Sequence, residues 1–435
     1  MYRGWKLCWI YYCKALSFVK GVIAMTEYTK TVLDIDSIPD DPLFTVEVNE
    51  KDSEIRGWIV IHSLGSSGAC GGVRLYPDVN LDEVYQLARA MTYKYSFFEK
   101  EMGGAKAGLQ MPFDLPPEER QRRLRLFGAH ISPLLRSNIY LPWTDMNSRM
   151  EDLSCILEGA GIPAGGGGDS AYYTALSTFA GVLAAAEYFS IPPDQCKITI
   201  EGVGNVGMYL AQEISRWGGR VIGASTRIGG VANPDGLDID EVLRLRKEHG
   251  DEWVAQNGKW ETISHAQLFD LGMDIHVPCA RVHSLTAEVA GALTAKAVVP
   301  AANVPCTPDG ENRLIEKGIP LLPDFIINGG GIVGTGLGEL GGSNEAVGKI
   351  FCGDFKDMIV RLLRRSEKMK ETPVTLAGAE SHKFYAQLWK SGRTDPGLGE
   401  KIYRGLEWRG MMPRGYRKGK ASAKLLRIIR ERFAD

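Results

Sequence analysis

The glycine-rich run Gly202-Val203-Gly204-Asn205-Val206-Gly207 limits the folds open to this chain more than any other feature. The residues around it predict a strand at Lys197 to Glu201, a helix at Met208 to Trp217 and a second strand at Arg220 to Ala224. A strand, a glycine turn, a helix and a strand within about thirty residues form a βαβ unit. The sequence therefore predicts an α/β protein that contains a doubly wound, Rossmann-type domain.

The glycines of this run have distinct tasks in a dinucleotide site. Gly202 permits a tight turn, Gly204 lets the backbone approach a pyrophosphate, and Gly207 lets the helix pack closely on the strand. Asn205 and Val206 lie between them, where the helix N-terminus can bind the phosphates. A plain glycine-rich turn is the alternative, but the position between a strand and a helix favours a bound dinucleotide.

The end of the second strand indicates which dinucleotide is bound. An acidic residue expected there would hold the ribose 2′-hydroxyl of NAD. The chain has Ser225-Thr226-Arg227 in its place. Two hydroxyls and a guanidinium suit a 2′-phosphate, and no carboxylate repels it. The sequence therefore favours NADP over NAD, with an Arg227 that points into solvent as the alternative.

Composition favours small-molecule partners. The chain has 435 residues, of which 44% are hydrophobic and 24% charged, which is typical of a globular protein with room for two domains. A net charge of -2 gives no general attraction to nucleic acid or to an anionic membrane. The eight cysteines form no CxxC pair and no cluster at metal-ligand spacing, so we expect no metal site and a reducing cytoplasm.

The two ends of the chain have unusual compositions. Trp5 to Met25 is apolar and aromatic, but Lys14 and Lys20 interrupt it before the ~20 residues that a membrane span requires. We expect residues 1–25 to be an extension outside the fold, with an amphipathic surface segment or a targeting segment as alternatives. The tail beyond Arg404 is basic, and a solvated helix face or a subunit contact is favoured over RNA or lipid binding.

Two lysines and one aspartate in the first half of the chain are candidates for chemistry. Lys106 lies within Gly103 to Gly108, where a closing cleft can desolvate the amine and lower its pKa. Lys94, near the end of a helix predicted at Leu81 to Phe98, can pair with a substrate carboxylate. Asp145 ends an apolar run and would by itself more often be a helix N-cap. Combined with a nucleotide fold, these residues indicate proton-transfer chemistry.

Taken in order, these motifs resemble the Glu/Leu/Phe/Val dehydrogenase family. The resemblance extends from about Gly71 to Gly331. Its motifs are the GGxR turn at 71–74, MTYK at 91–94, GGAK at 103–106, PxxDMN at 142–147, TxxG at 178–181, GxGNVG at 202–207, AANVP at 301–305 and PDFIINGGG at 323–331.

The resemblance implies oxidative deamination, in which an amino acid, water and NAD(P)+ give a 2-oxo acid, ammonia and NAD(P)H. By position, Lys94 would hold the α-carboxylate, and Lys106 would activate water and stabilise the carbinolamine. Asp145 would carry protons to and from the nitrogen. The protein would mainly position two carbon atoms for hydride transfer and supply charge where it develops.

The same resemblance assigns residues around the reacting groups. Thr178 and Asn303 match residues that orient the nicotinamide end of the cofactor. Asn328 matches a residue that helps hold the substrate, and Gly72 and Ile332 are expected to line the same pocket.

Departures from the family pattern bear on the substrate. Glutamate-specific members have a lysine before the GGxR turn, where this chain has Cys70. A buried carboxylate without that charge would be costly, which disfavours glutamate. Thr335 stands where glutamate enzymes carry a serine and aliphatic enzymes carry an apolar residue. This position therefore does not indicate which substrate is preferred. The glycines at 334, 336 and 338 would leave room for an apolar or aromatic side chain.

The expected organisation has a substrate-binding and oligomerisation domain at 26–168 and a Rossmann domain at 169–330. A helical segment at 331–435 is expected to return to the first domain, with the active site in the cleft between the domains. The sequence thus predicts an NAD(P)-dependent amino acid dehydrogenase that forms homo-oligomers. Two alternatives are a catalytically inactive dinucleotide-binding paralogue and a dehydrogenase of the malic or folate type.

Overall fold

The structure, a computed structural model, describes residues 37–163, 170–338, 343–390 and 416–434. The expected extension at 1–25, the glycine run at 165–168 and much of the basic tail lie outside these ranges. The chain divides into two compact units. Unit 1 comprises Met1–Gly167 and Ser381–Lys401, and unit 2 comprises Gly168–Glu380 and Ile402–Asp435.

Unit 1 is built on a mixed sheet. Its strands are β1 (Phe44–Glu50), β2 (Ile55–Ile61), β3 (Ala69–Leu75), β4 (Gly103–Leu109) and β5 (Tyr140–Thr144). Among the described residues they form one sheet in the order β1-β2-β4-β3-β5. The β1–β2 and β2–β4 pairs are antiparallel, whereas β3 pairs in parallel with both β4 and β5. This order places β3 between the strands that lead to Lys106 and Asp145.

Helices cover both faces of the unit 1 sheet. They are α1 (Leu81–Phe97), α2 (Pro117–His130), α3 (Ser132–Arg136) and α4 (Met150–Gly159). The side chains of β2 alternate between the faces: Ile59 packs with Leu124 of α2, and Trp58 packs with Val84 of α1. The predicted helix at Leu81 to Phe98 is confirmed, and Asn80 caps it by accepting a hydrogen bond from the Glu83 backbone N–H at 3.0 Å.

Unit 2 contains the predicted βαβ unit. Its strands are β6 (Lys197–Glu201), β7 (Arg220–Thr226), β8 (Gly229–Ala232), β9 (Glu261–Ile263), β10 (Ile275–Pro278) and β11 (Ala297–Val298). In the described part of the chain they are ordered β11-β10-β6-β7-β8-β9. The first four are parallel, while β8 and β9 add an antiparallel edge. The expected two-domain α/β fold with a doubly wound domain is therefore confirmed.

The helices of unit 2 follow from α5 (Ser170–Tyr188), which precedes β6. They continue as α6 (Asn205–Trp217), α7 (Ile239–His249), α8 (Trp253–Gln256), α9 (His265–Leu268), α10 (Ala287–Ala292), α11 (Pro308–Glu316), α12 (Asp324–Ile327), α13 (Gly330–Gly338), α14 (Asn344–Ile350) and α15 (Lys356–Met369). A π-helical turn at Phe351–Phe355 joins α14 to α15. Two further helices, α16 (Pro373–Lys390) and α17 (Tyr416–Glu431), end the described chain.

One predicted strand is wrong in its second half. The apolar pattern from Pro320 to Ile327 predicts a further strand of the parallel sheet, but only Leu321 makes a parallel bridge, to Val298. From Asp324 the chain is the helix α12, with Pro323 at its N-cap and an acidic residue in the first turn. A short apolar run cannot distinguish a buried strand from a buried helix by periodicity.

Candidate active site

A buried ion pair in unit 1 joins the two residues that were predicted to be catalytic. Lys106 lies on β4 with 2% of its surface exposed, and Asp145 directly follows β5. Lys106 Nζ donates to Asp145 Oδ1 at 2.8 Å. The two strands lie on either side of β3, and Gly72 of β3 makes the approach possible, because a Cβ there would fall 2.6 Å from the Asp145 Cβ.

Arg74 and Glu83 extend this pair into a buried network that the sequence did not predict. Arg74 Nε donates to Asp145 Oδ2 at 2.8 Å, and its guanidinium also donates to the Glu83 carboxylate. Both residues are buried, on β3 and in the first turn of α1. Arg74 belongs to the GGxR turn, whose arginine was the available signal. The network fixes both carboxylate oxygens of Asp145, so Arg74 is a positioning residue for it.

The electrostatics of this network favour an ionised Asp145 and a readily deprotonated Lys106. Burial by itself would raise the pKa of the Asp145 carboxyl, but the charges of Arg74 and Lys106 outweigh it and hold that pKa well below its ordinary value. Burial lowers the pKa of Lys106, and the Asp145 charge only partly opposes this effect. The site therefore provides an amine that can lose a proton next to a fixed carboxylate.

Lys94 lies on the helix that packs against β4, the strand of Lys106. It lies in the last turn of α1 and is buried. Helix α1 can approach β4 closely because Gly104 has no side chain, since a Cβ there would fall 2.2 Å from the Thr92 backbone nitrogen. The MTYK and GGAK motifs thus pack against each other, which explains why the second motif has a glycine at position 104.

Cys70 is a neutral, half-buried residue beside this network. Burial raises the pKa of its thiol, while a hydrogen bond with Tyr95 and the charge of Lys106 partly oppose the shift. Tyr95 follows Lys94 and is itself buried, and burial raises the pKa of its phenol well above the ordinary value. The position expected to contact the substrate side chain thus consists of an uncharged thiol and phenol.

The glycine turn of unit 2 has the geometry of a phosphate cradle. Gly202 has a φ of +93°, which favours glycine, and a Cβ on Gly207 would fall 2.4 Å from the Gly202 carbonyl oxygen. Helix α6 begins at Asn205 with Gly204 as its N-cap and no side chain that caps it. Its first backbone N–H groups, which include that of Val206, are available to phosphate oxygens. The residues present therefore fit a dinucleotide.

Asn303 and Asn328, which the resemblance assigned to the cofactor and to the substrate, contact each other in unit 2. Asn328 Nδ2 donates to Asn303 Oδ1 at 3.0 Å. Asn328 is buried, and within the described part of the chain its Oδ1 accepts no hydrogen bond. A buried acceptor without a donor is costly. This oxygen is therefore available to an N–H donor of a bound ligand.

Thr178, which the resemblance assigns to the nicotinamide end of the cofactor, lies on α5 one helical turn after a second threonine, Thr174. Thr178 is fully buried, with 0% of its surface exposed, and its hydroxyl donates to the Thr174 carbonyl at 2.8 Å. One turn earlier, the Thr174 hydroxyl likewise donates to the Ser170 carbonyl at 2.8 Å, but Thr174 is only half buried, and its Oγ1 lies 3.7 Å from where a Cβ of Gly331 would stand. Thr174 thus presents a partly exposed hydroxyl next to the Asn328 segment, where the fully buried Ser177 Oγ accepts a hydrogen bond from the Gly330 N–H at 3.0 Å. The TxxG spacing alone could not distinguish two threonines on one helix.

Helix α13 carries the remaining residues predicted to contact substrate. Ile332 and Thr335 are both half buried. The expectation that Gly334 enlarges a pocket is wrong, because a Cβ there would fall 2.2 Å from the ring of Tyr173. The missing side chain makes room for the packing of α13 on α5 rather than for a substrate.

The end of β7 presents one of the three residues predicted to select NADP. Ser225 and Thr226 are buried, and Thr226 Oγ1 donates to the Asp251 carbonyl at 3.2 Å. Arg227 is 55% exposed, and its Nε donates to Asp251 Oδ2 at 2.9 Å. Arg227 is therefore the member of this group that a phosphate can reach.

Within the described ranges, no group of three or more His, Cys, Asp or Glu residues is arranged to hold a metal ion. Among the helices that the structure describes, none combines the length and the apolar character needed to cross a membrane.

Comparisons with known proteins agree with this arrangement. The family model for "Glutamate/Leucine/Phenylalanine/Valine dehydrogenase" matches residues 165–384, and that for "Glu/Leu/Phe/Val dehydrogenase, dimerisation domain" matches residues 42–160. A glutamate dehydrogenase of Thermotoga maritima is 33% identical over 309 residues, which cover 66% of this chain and 73% of the relative. An NAD-specific glutamate dehydrogenase of Staphylococcus aureus is 34% identical over 278 residues, covering 60% and 66%.

Solved structures share the fold. A hetero-hexameric glutamate dehydrogenase from Thermus thermophilus matches with a TM-score of 0.70 and 24% identity, covering 89% of this chain and 96% of that one. An L-tryptophan dehydrogenase from Nostoc punctiforme matches with a TM-score of 0.53 and 22% identity, covering 80% and 96%. At these identities the likeness establishes the fold alone.

Proposed function

The chain belongs to the Glutamate/Leucine/Phenylalanine/Valine dehydrogenase family and is an NAD(P)-dependent amino acid dehydrogenase, and we propose that it deaminates an L-amino acid with an uncharged side chain. The overall reaction converts the amino acid, water and NAD(P)+ to a 2-oxo acid, ammonia, NAD(P)H and a proton, and it can run in reverse. The observation that carries this proposal is the buried Lys106–Asp145 ion pair at 2.8 Å.

The unit 1 residues supply charge and protons to the reacting carbon. Lys94 pairs with the substrate α-carboxylate. Lys106, whose pKa burial lowers, takes a proton from the attacking water and then, as the ammonium form, stabilises the oxygen of the carbinolamine. Asp145, held by Arg74, carries protons to and from the departing nitrogen.

The unit 2 residues orient the cofactor, which when bound accepts a hydride from the substrate Cα. The turn at Gly202–Gly207, at the uncapped N-terminus of α6, would hold the pyrophosphate through backbone N–H groups. Asn303, Asn328 and Thr174 provide the polar groups that would face the nicotinamide and the substrate. The charged residues belong to unit 1, and the cofactor turn belongs to unit 2.

The preference for an uncharged substrate side chain is supported by Cys70 and Tyr95. Neither carries a positive charge that could neutralise a second carboxylate, and burying that carboxylate unpaired would be costly. Half-buried Ile332 adds apolar surface on α13, and Thr335 a hydroxyl. Glutamate, on which several relatives act by name, is the competing substrate.

We further propose that NADP is preferred, that the enzyme is a homo-oligomer and that it is cytoplasmic. Arg227 at the end of β7 supports the first point, since it is accessible to a 2′-phosphate. The match of residues 42–160 to a dimerisation-domain model supports the second. The described cysteines are free thiols, as is usual in a reducing compartment.

One assay tests the activity. NADPH and NADH oxidation is followed with ammonia and a panel of 2-oxo acids that includes 2-oxoglutarate and apolar and aromatic members. Lys106→Ala is expected to lower kcat by about 10²- to 10⁴-fold, and the exposed Lys51→Ala serves as the control. Turnover that needs no ammonia would indicate a malic- or folate-type enzyme. Dinucleotide binding without any turnover would indicate an inactive paralogue.

The substrate proposal has its own test. Cys70→Lys restores a cation beside the pocket and is expected to raise kcat/KM for 2-oxoglutarate about tenfold or more relative to an apolar 2-oxo acid. Cys70→Ala removes the thiol without adding charge and is the matched control. A wild-type enzyme that turns over 2-oxoglutarate best would contradict the preference for an uncharged side chain.

A further inference from the structure

We propose that Asp251, paired with Arg227 and Arg246, sets the balance between NADP and NAD at the adenosine end of the cofactor site. This inference rests on the proposed cofactor site and identifies the residues that tune it. The sequence places no carboxylate at the end of β7, where an acid would hold the ribose of NAD. The fold brings one there from the 3₁₀ turn at Gly250–Glu252 that follows α7.

Three contacts hold Asp251 at the end of β7. Its carbonyl accepts a hydrogen bond from Thr226 Oγ1 at 3.2 Å, which fixes the turn against the strand. Its carboxylate oxygens are divided between two guanidiniums: Oδ2 accepts from Arg227 Nε at 2.9 Å and Oδ1 from Arg246 NH1 at 3.1 Å. One carboxylate therefore lies between two arginines.

This group of residues adjoins the dinucleotide turn. Ser225 of β7 is the register partner of Glu201, which precedes Gly202, and its carbonyl accepts a hydrogen bond from the Val203 N–H at 2.9 Å. Thr226 follows Ser225 directly, so the carboxylate is attached to the strand end that meets the adenosine ribose in this fold.

The charges of Asp251, Arg227 and Arg246 explain how these residues discriminate between NADP and NAD. Two guanidiniums and one carboxylate sum to a single positive charge, which favours an added phosphate. A 2′-phosphate, however, must replace Asp251 as the partner of the arginines and is repelled by its carboxylate. The 2′-hydroxyl of NAD can instead donate to that carboxylate. Asp251 thus weakens the preference for NADP that Arg227 and Arg246 create, and the enzyme accepts both cofactors.

The variants Asp251→Asn and Arg246→Ala test this assignment by equilibrium binding. Dissociation constants of NADP+ and NAD+ are measured by titration calorimetry on the full chain without amino acid, so no turnover is required. Asp251→Asn is expected to raise the ratio Kd(NAD+)/Kd(NADP+) about tenfold, the size of one charge-assisted hydrogen bond. Arg246→Ala is expected to lower the same ratio by a similar factor.

Matched controls lie on α7, where Arg244 pairs with Glu241 and Glu248 on the surface. Arg244→Ala and Glu241→Gln should change the ratio less than twofold. An Asp251→Asn ratio equal to that of Glu241→Gln, or an equal weakening of both cofactors, overturns the inference while the proposed function stands. A wild-type chain that binds neither dinucleotide overturns both.

Discussion

The two units handle polar groups in opposite ways. In unit 1 the functional groups are buried charges: Lys106, Asp145, Arg74 and Glu83 form a continuous network of ion pairs on and beside the sheet. In unit 2 the corresponding groups are a glycine turn, the uncapped N-terminus of α6 and neutral amides. Its charged group at Asp251 lies on the surface.

The contrast follows from what each unit must bind. A reacting carbon needs charge and proton transfer at fixed atoms, and buried ion pairs supply both because low dielectric strengthens them. A dinucleotide needs close approach and many donors, which backbone N–H groups provide at little desolvation cost. We therefore expect charge-removing changes to matter most in unit 1 and hydroxyl changes to have small effects in unit 2.

The largest effect, on both stability and the pH dependence of kcat/KM, is expected from Arg74→Gln. This change leaves Glu83 and Asp145 without their shared buried cation. Breaking one side of a buried ion pair costs about 3–5 kcal/mol, so the free energy of unfolding should fall by that order. Because the Arg74 charge lowers the pKa of Lys106, its loss should also move the rising limb of the kcat/KM–pH profile to higher pH. Arg74→Lys, which keeps the charge, should leave the limb near its original position.

Chemical denaturation and pH–rate profiles measure these changes. The exposed Arg56→Gln on β2 is the matched control, since Arg56 pairs with Glu47 at the surface. If Arg74→Gln and Arg56→Gln behaved alike in both measurements, the buried network would have no special role.

A smaller effect on the free energy of unfolding, of similar size in both units, is expected when two buried histidines are protonated. Burial lowers the pKa of His62 in unit 1 and of His276 in unit 2 to about 4, below the ordinary value of 6.5. Between pH 6.5 and 4 the unfolded chain then binds more protons than the folded one. Their stabilising effect is complete above pH 6.5 and is lost as the pH falls toward 4, by about 3 kcal/mol for each histidine.

Urea unfolding between pH 7.5 and 4.5 measures this dependence. His62→Gln and His276→Gln should each reduce the fall in the free energy of unfolding as the pH decreases. The matched control His249→Gln, at an exposed position, should not reduce it. A steeper fall in either buried-histidine variant would show that the sign of the dependence is opposite.

The smallest effect is expected from Thr174→Val, which removes a half-buried hydroxyl next to the Asn328 segment of unit 2. The kcat/KM for the cofactor should fall about tenfold, the value of roughly one hydrogen bond. Thr178→Val, which removes a fully buried hydroxyl that a ligand cannot reach, should change this kcat/KM less than twofold. A reversed order would restore Thr178 as the residue that orients the nicotinamide.

Local patterns in the sequence were sufficient for the parts of the protein that depend on neighbours in the chain. The βαβ unit follows from short strands, a glycine turn and a helix with one apolar side, and the bounds of β6 match the prediction. Lys106 and Asp145 were predicted from their motifs, and the structure brings them to 2.8 Å. The family match confirms the class of reaction that those motifs implied.

Contacts between distant segments decided the rest. Arg74 and Asp145 are separated by 71 positions, and Arg227 and Asp251 by 24, so neither ion pair is visible as a motif. The burial of Thr178 and the packing of Tyr173 against Gly334 likewise depend on how helices pack. Periodicity specifies which side of a helix is apolar, but it does not specify which side chain fills a given space.

What the sequence by itself determined is the class of fold, the dinucleotide turn and the reacting pair, because glycine conformation and residue order act locally. Only the tertiary structure decided which other side chains lie against the reacting pair and the dinucleotide turn. Arg74 and Glu83 fix Asp145, Thr174 is more exposed than Thr178 on the same helix, and the Asp251 carboxylate lies at the end of β7. The physical reason is that ionisation and selectivity depend on distance and burial, which are properties of the folded chain.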